Sequence, residues 1–187
     1  MPLDPERNPW KTLEKTVVYQ NAWITVTEHK VIRPDGEEGI YGVVDTRIAT
    51  GVVALTEARE IYLVGQYRYP TEVYSWEIPE GGTDPGENPL EAIRRELREE
   101  AGVEARHWEQ IGNEIHLSNC ISSERAYIYL ATDLSEVGNN PDGTEVLQVR
   151  KVPFEQALSM VDNGEIVDAL SIMAILRAER YLRGRPQ

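Results

Sequence analysis

Glu96, Glu99 and Glu100 follow one another at i, i+3 and i+4, the spacing that sets three side chains along one edge of an α-helix. Like charges so placed repel by roughly 0.2–0.5 kcal/mol per pair in an isolated helix. Two arrangements relieve that repulsion. Arg94, Arg95 and Arg98 can neutralise the glutamates as ordinary surface ion pairs, or the carboxylates can hold hard divalent cations, which prefer oxygen ligands.

The helix that must carry them has both ends written into the chain. Asn88 suits the N-cap, Pro89 the first helical position, and Glu91 at N3 completes a reciprocal capping pattern. Gly102 supplies the C-terminal stop. Between them Leu90, Ile93, Leu97 and Ala101 recur every three or four residues and form an apolar stripe that faces a core. The three glutamates lie about a quarter turn from that stripe, beside the glycine-rich loop that precedes the helix.

Gly81, five residues, Glu87, seven residues, and then Arg95-Glu96-Leu97-Arg98-Glu99-Glu100-Ala101-Gly102-Val103 resemble the Nudix hydrolase signature at every fixed position. The resemblance implies a loop–helix–loop that binds Mg2+ or Mn2+ and cleaves a pyrophosphate within a nucleoside diphosphate linked to another group. It implies Glu96 and Glu100 as principal metal ligands, with Glu99 as a further ligand or as partner of a metal-bound water. Glu87 and Arg95 would orient and brace, and Gly81 and Gly102 would let the backbone turn. In the family the residue before the first motif glycine gives a backbone carbonyl to a metal; here it is Glu80, where alanine is common.

A chain of 187 residues is long enough for one good core and a small appended element. Its formal charge of −13 and pI of about 4.7 argue against a nucleic acid or an anionic membrane as main partner, since both reward basic patches. A polyanionic substrate would need bound cations. Cys120 is the single cysteine, so no intrachain disulfide forms and a reducing compartment is the simplest assumption. With no basic-then-apolar leader and no apolar run of bilayer length, the chain reads as cytoplasmic.

The first 12 or so residues are rich in proline and polar groups and read as an extended arm anchored by Trp10. Successive antiparallel strands follow, around Thr16–Tyr19, Trp23–Thr27, Val31–Ile32 and Ile40–Val44, with a turn at Pro34-Asp35-Gly36. Such a meander needs a second layer to bury its apolar side. The chain therefore divides into an N-terminal arm and β element, residues 1–46, and a catalytic domain, residues 47–187. In the ADP-ribose pyrophosphatase branch, which this chain resembles, a comparable element packs across a homodimer and helps build the partner's nucleotide site. Trp23 is then a candidate for stacking on the base.

Two apolar runs, Gly51–Leu55 and Ile61–Gly65, read as a hairpin. The segments Gln66–Pro70 and Trp76–Gly82 resemble the same branch, in which Arg68 matches a substrate-contacting arginine; its planar fork suits a phosphate or carboxylate. Glu77 is either a hydrogen-bond acceptor in the pocket or the partner that positions Arg68. Strands are expected at Trp108–Gly112 and Ala126–Ala131, with Leu117–Arg125 as a loop. Ser123-Glu124-Arg125 matches a substrate-side loop and makes Glu124 a candidate for substrate hydroxyls or acid–base work, although the Ser-Pro-Gly element frequent in that loop is absent. Residues 133–144 lack apolar periodicity and read as a loop. Glu145, before the strand Val146–Val149, fits the family's late acidic residue that serves as catalytic base or metal partner, with Asp142 as the alternative. Helices are expected over Pro153–Val161 and Ile166–Leu182. His29, His107 and His116 show no ligand or catalytic spacing and read as structural or surface groups.

The expected molecule is an α/β/α sandwich with a mixed sheet and an added N-terminal antiparallel β element. Its expected work is Mg2+- or Mn2+-dependent hydrolysis of a nucleoside diphosphate sugar, such as ADP-ribose, to a nucleoside monophosphate and a sugar phosphate, as a homodimer without nucleic-acid or membrane partners. A dinucleoside-polyphosphate or coenzyme pyrophosphatase, and a non-catalytic nucleotide-sugar-binding regulator, stand as the alternatives.

Overall fold

The structure, a computed structural model, describes residues 7–138 and 146–184. Contacts divide the chain into two compact units, residues 1–47 with 118–124, and residues 48–117 with 125–187.

The first unit is a meander of β1 (Lys11–Gln20), β2 (Ile24–Ile32) and β3 (Glu38–Thr46), paired antiparallel in that order. Asn21 sets the first corner because its side-chain oxygen accepts from the Trp23 and Ile24 amides, both at 2.8 Å. Gly36, at φ 90°, turns the second. Residues 118–124 join this unit through a bridge between Val44 and Ser122 and a 2.7 Å hydrogen bond from the Tyr41 hydroxyl to the Cys120 carbonyl. The arm expected over the first 12 residues gives way to strand by Lys11. Every residue of β1 is exposed, including Leu13, Val17, Val18 and Tyr19.

In the second unit, the central sheet runs β7 (Glu80–Gly82), β4 (Ala49–Ala54), β10 (Arg125–Glu136), β8 (Val103–Gln110), with β9 (Ile115–His116) also on β10. β4 and β10 are parallel and the other pairs antiparallel, so the sheet is mixed. Successive residues of β4 point to opposite faces. Val52 and Ala54 pack with Ile93, Leu97 and Ala101 of α1 (Pro89–Ala101), whereas Val53 and Leu55 pack with α2 (Phe154–Asp162) and α3 (Ala169–Arg183). Tyr129 and Ala131 of β10 take the first side and Ile128 and Leu130 the second. Helices thus cover both faces, and the sandwich expected from sequence is present.

A second sheet, β11 (Gln148–Pro153), β5 (Glu60–Arg68) and β6 (Val73–Glu77), is wholly antiparallel. It corrects one expectation. The runs Gly51–Leu55 and Ile61–Gly65 do not form a hairpin ladder: they meet only at a Leu55–Ile61 bridge and then enter different sheets. Both runs are buried almost throughout, and strands buried on both faces need cover that a two-stranded hairpin does not supply. Three boundaries also move. β8 starts directly after Gly102 rather than at Trp108, β10 continues to Glu136, and α3 starts at Ala169 because Asp168 caps it, accepting from the Ser171 amide at 2.7 Å.

Candidate functional site

The site assembles where β7 meets α1. The helix begins as its sequence dictates, the Asn88 side chain accepting from the Glu91 amide at 3.0 Å, and ends at Gly102, whose φ of 66° is left-handed. Its apolar stripe fixes the rotation: Ile93 and Leu97 are fully buried, which brings Glu96 and Glu100 against β7 and leaves Glu99 beside them on the helix edge. Glu96 lies so close to Gly81 that a β-carbon there would stand 2.2 Å from its carboxylate carbon. Gly81 is therefore a requirement of space, not only of backbone freedom.

Arg95 ties the loop to the helix. Its Nε donates to Glu87 Oε1 at 3.1 Å and its Nη2 to Glu87 Oε2 at 2.9 Å and to the Gly82 carbonyl at 3.1 Å. Nη1 donates to Glu96 at 2.7 Å and Glu99 at 3.2 Å. The hydrogen bond to Glu87 leads the causes that raise the Arg95 pKa, and the same bond leads those that lower Glu87. Glu87 also accepts from the Asp84 amide at 2.9 Å, which pins the turn. Of the two ways to neutralise the glutamates, ion pairing is realised by Arg95, whereas Arg98 pairs with Glu104 and Arg94 lies against Trp108.

Glu100 is buried, 2% exposed, and accepts from the Glu80 amide at 3.0 Å. Arg68, at the end of β5, donates from Nε to both oxygens of the buried Glu77 at 3.0 Å and from Nη2 to Glu80 Oε1 at 3.0 Å. Burial alone would lower the Arg68 pKa, but the Glu77 hydrogen bonds and charge, with Glu80 and Asp168 adding to them, raise it. Glu80 is pushed well above the usual carboxylate range by burial and then by the nearby charges of Asp168, Glu77 and Glu100, against which Arg68 acts. Its Oε2 is buried without a hydrogen-bond partner. Beside this group a cavity of about 400 Å³ is lined by Arg68, Ser75, Glu77 and Asp168, within the size range of small-molecule sites.

The motif carboxylates form a row, not a closed cage. Among the described residues no three Asp, Glu, His or Cys side chains converge as a metal ion requires, because Arg95 holds Glu96 and Glu99 while the Glu80 amide holds Glu100. The residues nonetheless fit a hard divalent cation. All the donors are oxygens, and Glu77, Glu100 and Asp168 lie close enough to the Glu80 carboxyl to act on it, with Arg68 opposing them and one buried Glu80 oxygen left over. Such a group is short of positive charge.

The structure brings Arg68, Glu77, Glu80, Gly81, Glu87, Arg95, Glu96, Glu99, Glu100 and Gly102 into one neighbourhood of the second unit. Trp23, 68% exposed at the β1–β2 corner, and Glu124, in the 118–124 segment, belong to the first. Glu145 and Asp142 lie outside the described residues. Asp168 is the participant that sequence reasoning missed, and its signal was an Asp followed three residues on by a serine at a helix start.

The chain resembles known proteins over nearly all its length. It is 32% identical to an ADP-ribose pyrophosphatase of Bacillus subtilis, covering 88% of this chain and 90% of that protein. To an ADP-ribose pyrophosphatase of Mycobacterium tuberculosis it is 30% identical, covering 95% and 87%. The fold matches a crystal structure of an ADP compounds hydrolase with a TM-score of 0.85 at 23% identity, covering 97% of this chain and 98% of the other. Residues 10–44 match the nucleoside diphosphate sugar hydrolase N-terminal domain. Residues 45–171, more than half the chain, match the NUDIX domain, so this protein, with its Gly81–Val103 loop and helix, belongs to the Nudix family.

Proposed function

We propose that the protein hydrolyses the pyrophosphate bond of a nucleoside diphosphate sugar such as ADP-ribose, releasing a nucleoside monophosphate and a sugar phosphate. The observation that carries this reading is the row of Glu96, Glu99 and Glu100, braced by Arg95 beside Gly81, next to the Arg68–Glu77–Glu80 group and its cavity. The names of the two bacterial relatives support the substrate class.

Glu96, Glu100 and Glu99, with the Glu80 carbonyl, would hold Mg2+ or Mn2+, which when bound supplies the positive charge that screens the diphosphate and acidifies the attacking water. Arg95 is a positioning residue: with three carboxylates on its fork it fixes Glu96 and Glu99 before substrate arrives. Arg68 is fixed in turn by Glu77, and its Nη1, which makes no bond to the described residues, is left for a substrate oxygen. Glu145 is the proposed base that takes the water's proton, with Glu124 or Glu99 as the other carriers of that role. Trp23 is the proposed stacking face for the base.

We assign residues 1–46 to dimerisation. β1 leaves Leu13, Val17, Val18 and Tyr19 exposed, so a small sheet carries more apolar surface than it can bury alone. Sedimentation at micromolar concentration should give twice the chain mass; a fully active monomer contradicts the assignment. No described helix is long and apolar enough to cross a membrane, and we place the enzyme in the cytoplasm.

The substrate class is tested by kcat/KM for ADP-ribose, ADP-glucose, UDP-glucose, GDP-mannose and diadenosine tetraphosphate with Mg2+ and with Mn2+. One nucleotide sugar should exceed the tetraphosphate by at least about 10-fold. Preference for the tetraphosphate would move the protein to the dinucleoside-polyphosphate class, and binding without turnover of any of them to the regulators.

A further inference from the structure

Where the carboxylate row turns toward β8, at Glu99, α1 and β8 border two cavities. One, of about 670 Å³, is lined by Arg94, Arg95, Arg98, Glu99, Glu104 and Trp108 among others. The second, of about 590 Å³, is lined by Arg94, Arg106, His107, Trp108 and Glu109 among others. Arg94 and Trp108 border both, so the two adjoin at that pair and are described together as a groove.

Its charge is unusual for a chain of net −13. Arg94 has no carboxylate partner among the described residues; its guanidinium lies over the Trp108 ring, 5.6 Å from the centroid. One helical turn on, Arg98 reaches Glu104 only at 3.5 Å, with both side chains at least half exposed. Arg106 reaches Asp133 at 3.6 Å and is 83% exposed. Such loose, solvated pairs hold their guanidiniums weakly, so an incoming anion can displace the carboxylates. Arg95, by contrast, is spent on Glu87, Glu96 and Glu99. The indole is fixed by its Nε1 donating to the Ala105 carbonyl at 3.0 Å and by edge contact with Tyr129.

We propose that this groove binds a phosphate group, held by Arg94 and Arg98, with the Arg94–Trp108 stack as a platform for an attached nucleobase. Guanidinium forks match phosphate oxygens in pairs, and a guanidinium plane over an indole offers a flat surface for stacking. The carboxylates Glu99, Glu104 and Glu109 around the rim favour a small phosphate ester over a long polyanion. The groove shares Arg95 and Glu99 with the proposed catalytic row, but its phosphate ligands Arg94 and Arg98 do not belong to that row, so variants at those two positions separate the groove from the pyrophosphatase reading.

The test is calorimetric titration of the full chain in EDTA with AMP, inorganic phosphate and adenosine. AMP should bind more tightly than phosphate, adenosine should not bind, and affinity should fall with salt. The double variant Arg94→Gln/Arg98→Gln should lose at least about 10-fold for AMP and phosphate alike, as expected when charge-assisted hydrogen bonds are removed. Trp108→Leu should erase the advantage of AMP while keeping the phosphate affinity, and that retained affinity shows the variant is folded. Equal wild-type affinity for AMP and phosphate keeps the phosphate site and makes free phosphate its occupant. AMP binding unchanged in the double variant would place the nucleotide at the carboxylate row instead, and the groove assignment would fall; absence of any binding at millimolar ligand overturns it as well.

Discussion

Glu100→Gln should lower kcat by about 1,000-fold, equivalent to about 4 kcal/mol of transition-state stabilisation, the scale of charge that a bound cation supplies. The substitution keeps the size of the side chain, and the remaining carbonyl oxygen can still accept from the Glu80 amide, the bond that Glu100 makes at 3.0 Å. What it removes is one anionic ligand from a group built of carboxylates. Stability in urea should therefore change by no more than about 1–3 kcal/mol, the cost of altering one buried hydrogen-bonding group. Loss of turnover with a retained cooperative transition is the expected pair of results. Turnover within about threefold of the unaltered protein at saturating Mg2+ would remove Glu100 from the ligand set, because threefold is under 1 kcal/mol.

Gly81→Ala should do nearly as much through a single methyl group. The added β-carbon would stand 2.2 Å from the Glu96 carboxylate carbon and 2.7 Å from its Cγ, distances at which one of them must move. The backbone of Gly81 is tied to β4, and its carbonyl accepts from the Thr50 hydroxyl at 3.0 Å. Glu96 yields, then, and swings off the row along with the bond it receives from Arg95. Mn2+ affinity, measured by calorimetry, should fall by about 10- to 100-fold, as when a ligand loses its orientation, and kcat by about 100-fold with it. Gly42→Ala is the control: an added methyl there meets nothing within 4 Å, and Mn2+ affinity should not change. If Gly81→Ala binds Mn2+ like the unaltered protein, Glu96 is not a ligand.

The contrast between these two positions also shows what the sequence could convey. The helix was legible to the residue, because a cap, a first-turn proline, an apolar stripe and a terminal glycine are each local signals that act within about one turn of their own position, and α1 runs from Pro89 to Ala101 with Asn88 and Gly102 as its caps. The spacing of Glu96, Glu99 and Glu100 then placed them on one edge without any tertiary information. That Glu96 presses on Gly81 was not legible, since it depends on how closely β7 approaches the helix. The two apolar runs after Thr50 looked like a hairpin because local pattern records only that a strand is buried, not which neighbour buries it; β4 pairs with β7 and β10, and β5 with β6 and β11. Glu80 showed itself in sequence only as a substitution for a small residue. Its bond to Arg68 and its neighbour Asp168, 88 positions later, exist only once β5, β7 and the start of α3 are brought together.

The central claim is that these residues open a pyrophosphate bond, and phosphorus NMR of ADP-ribose incubated with the protein and Mg2+ tests it most directly. The two diphosphate resonances should vanish together and be replaced by two monoester resonances, those of AMP and ribose 5-phosphate, with no change when Mg2+ is chelated. Diphosphate resonances that persist with Mg2+ present, or that shift to those of ADP as the ribose is released, would contradict it.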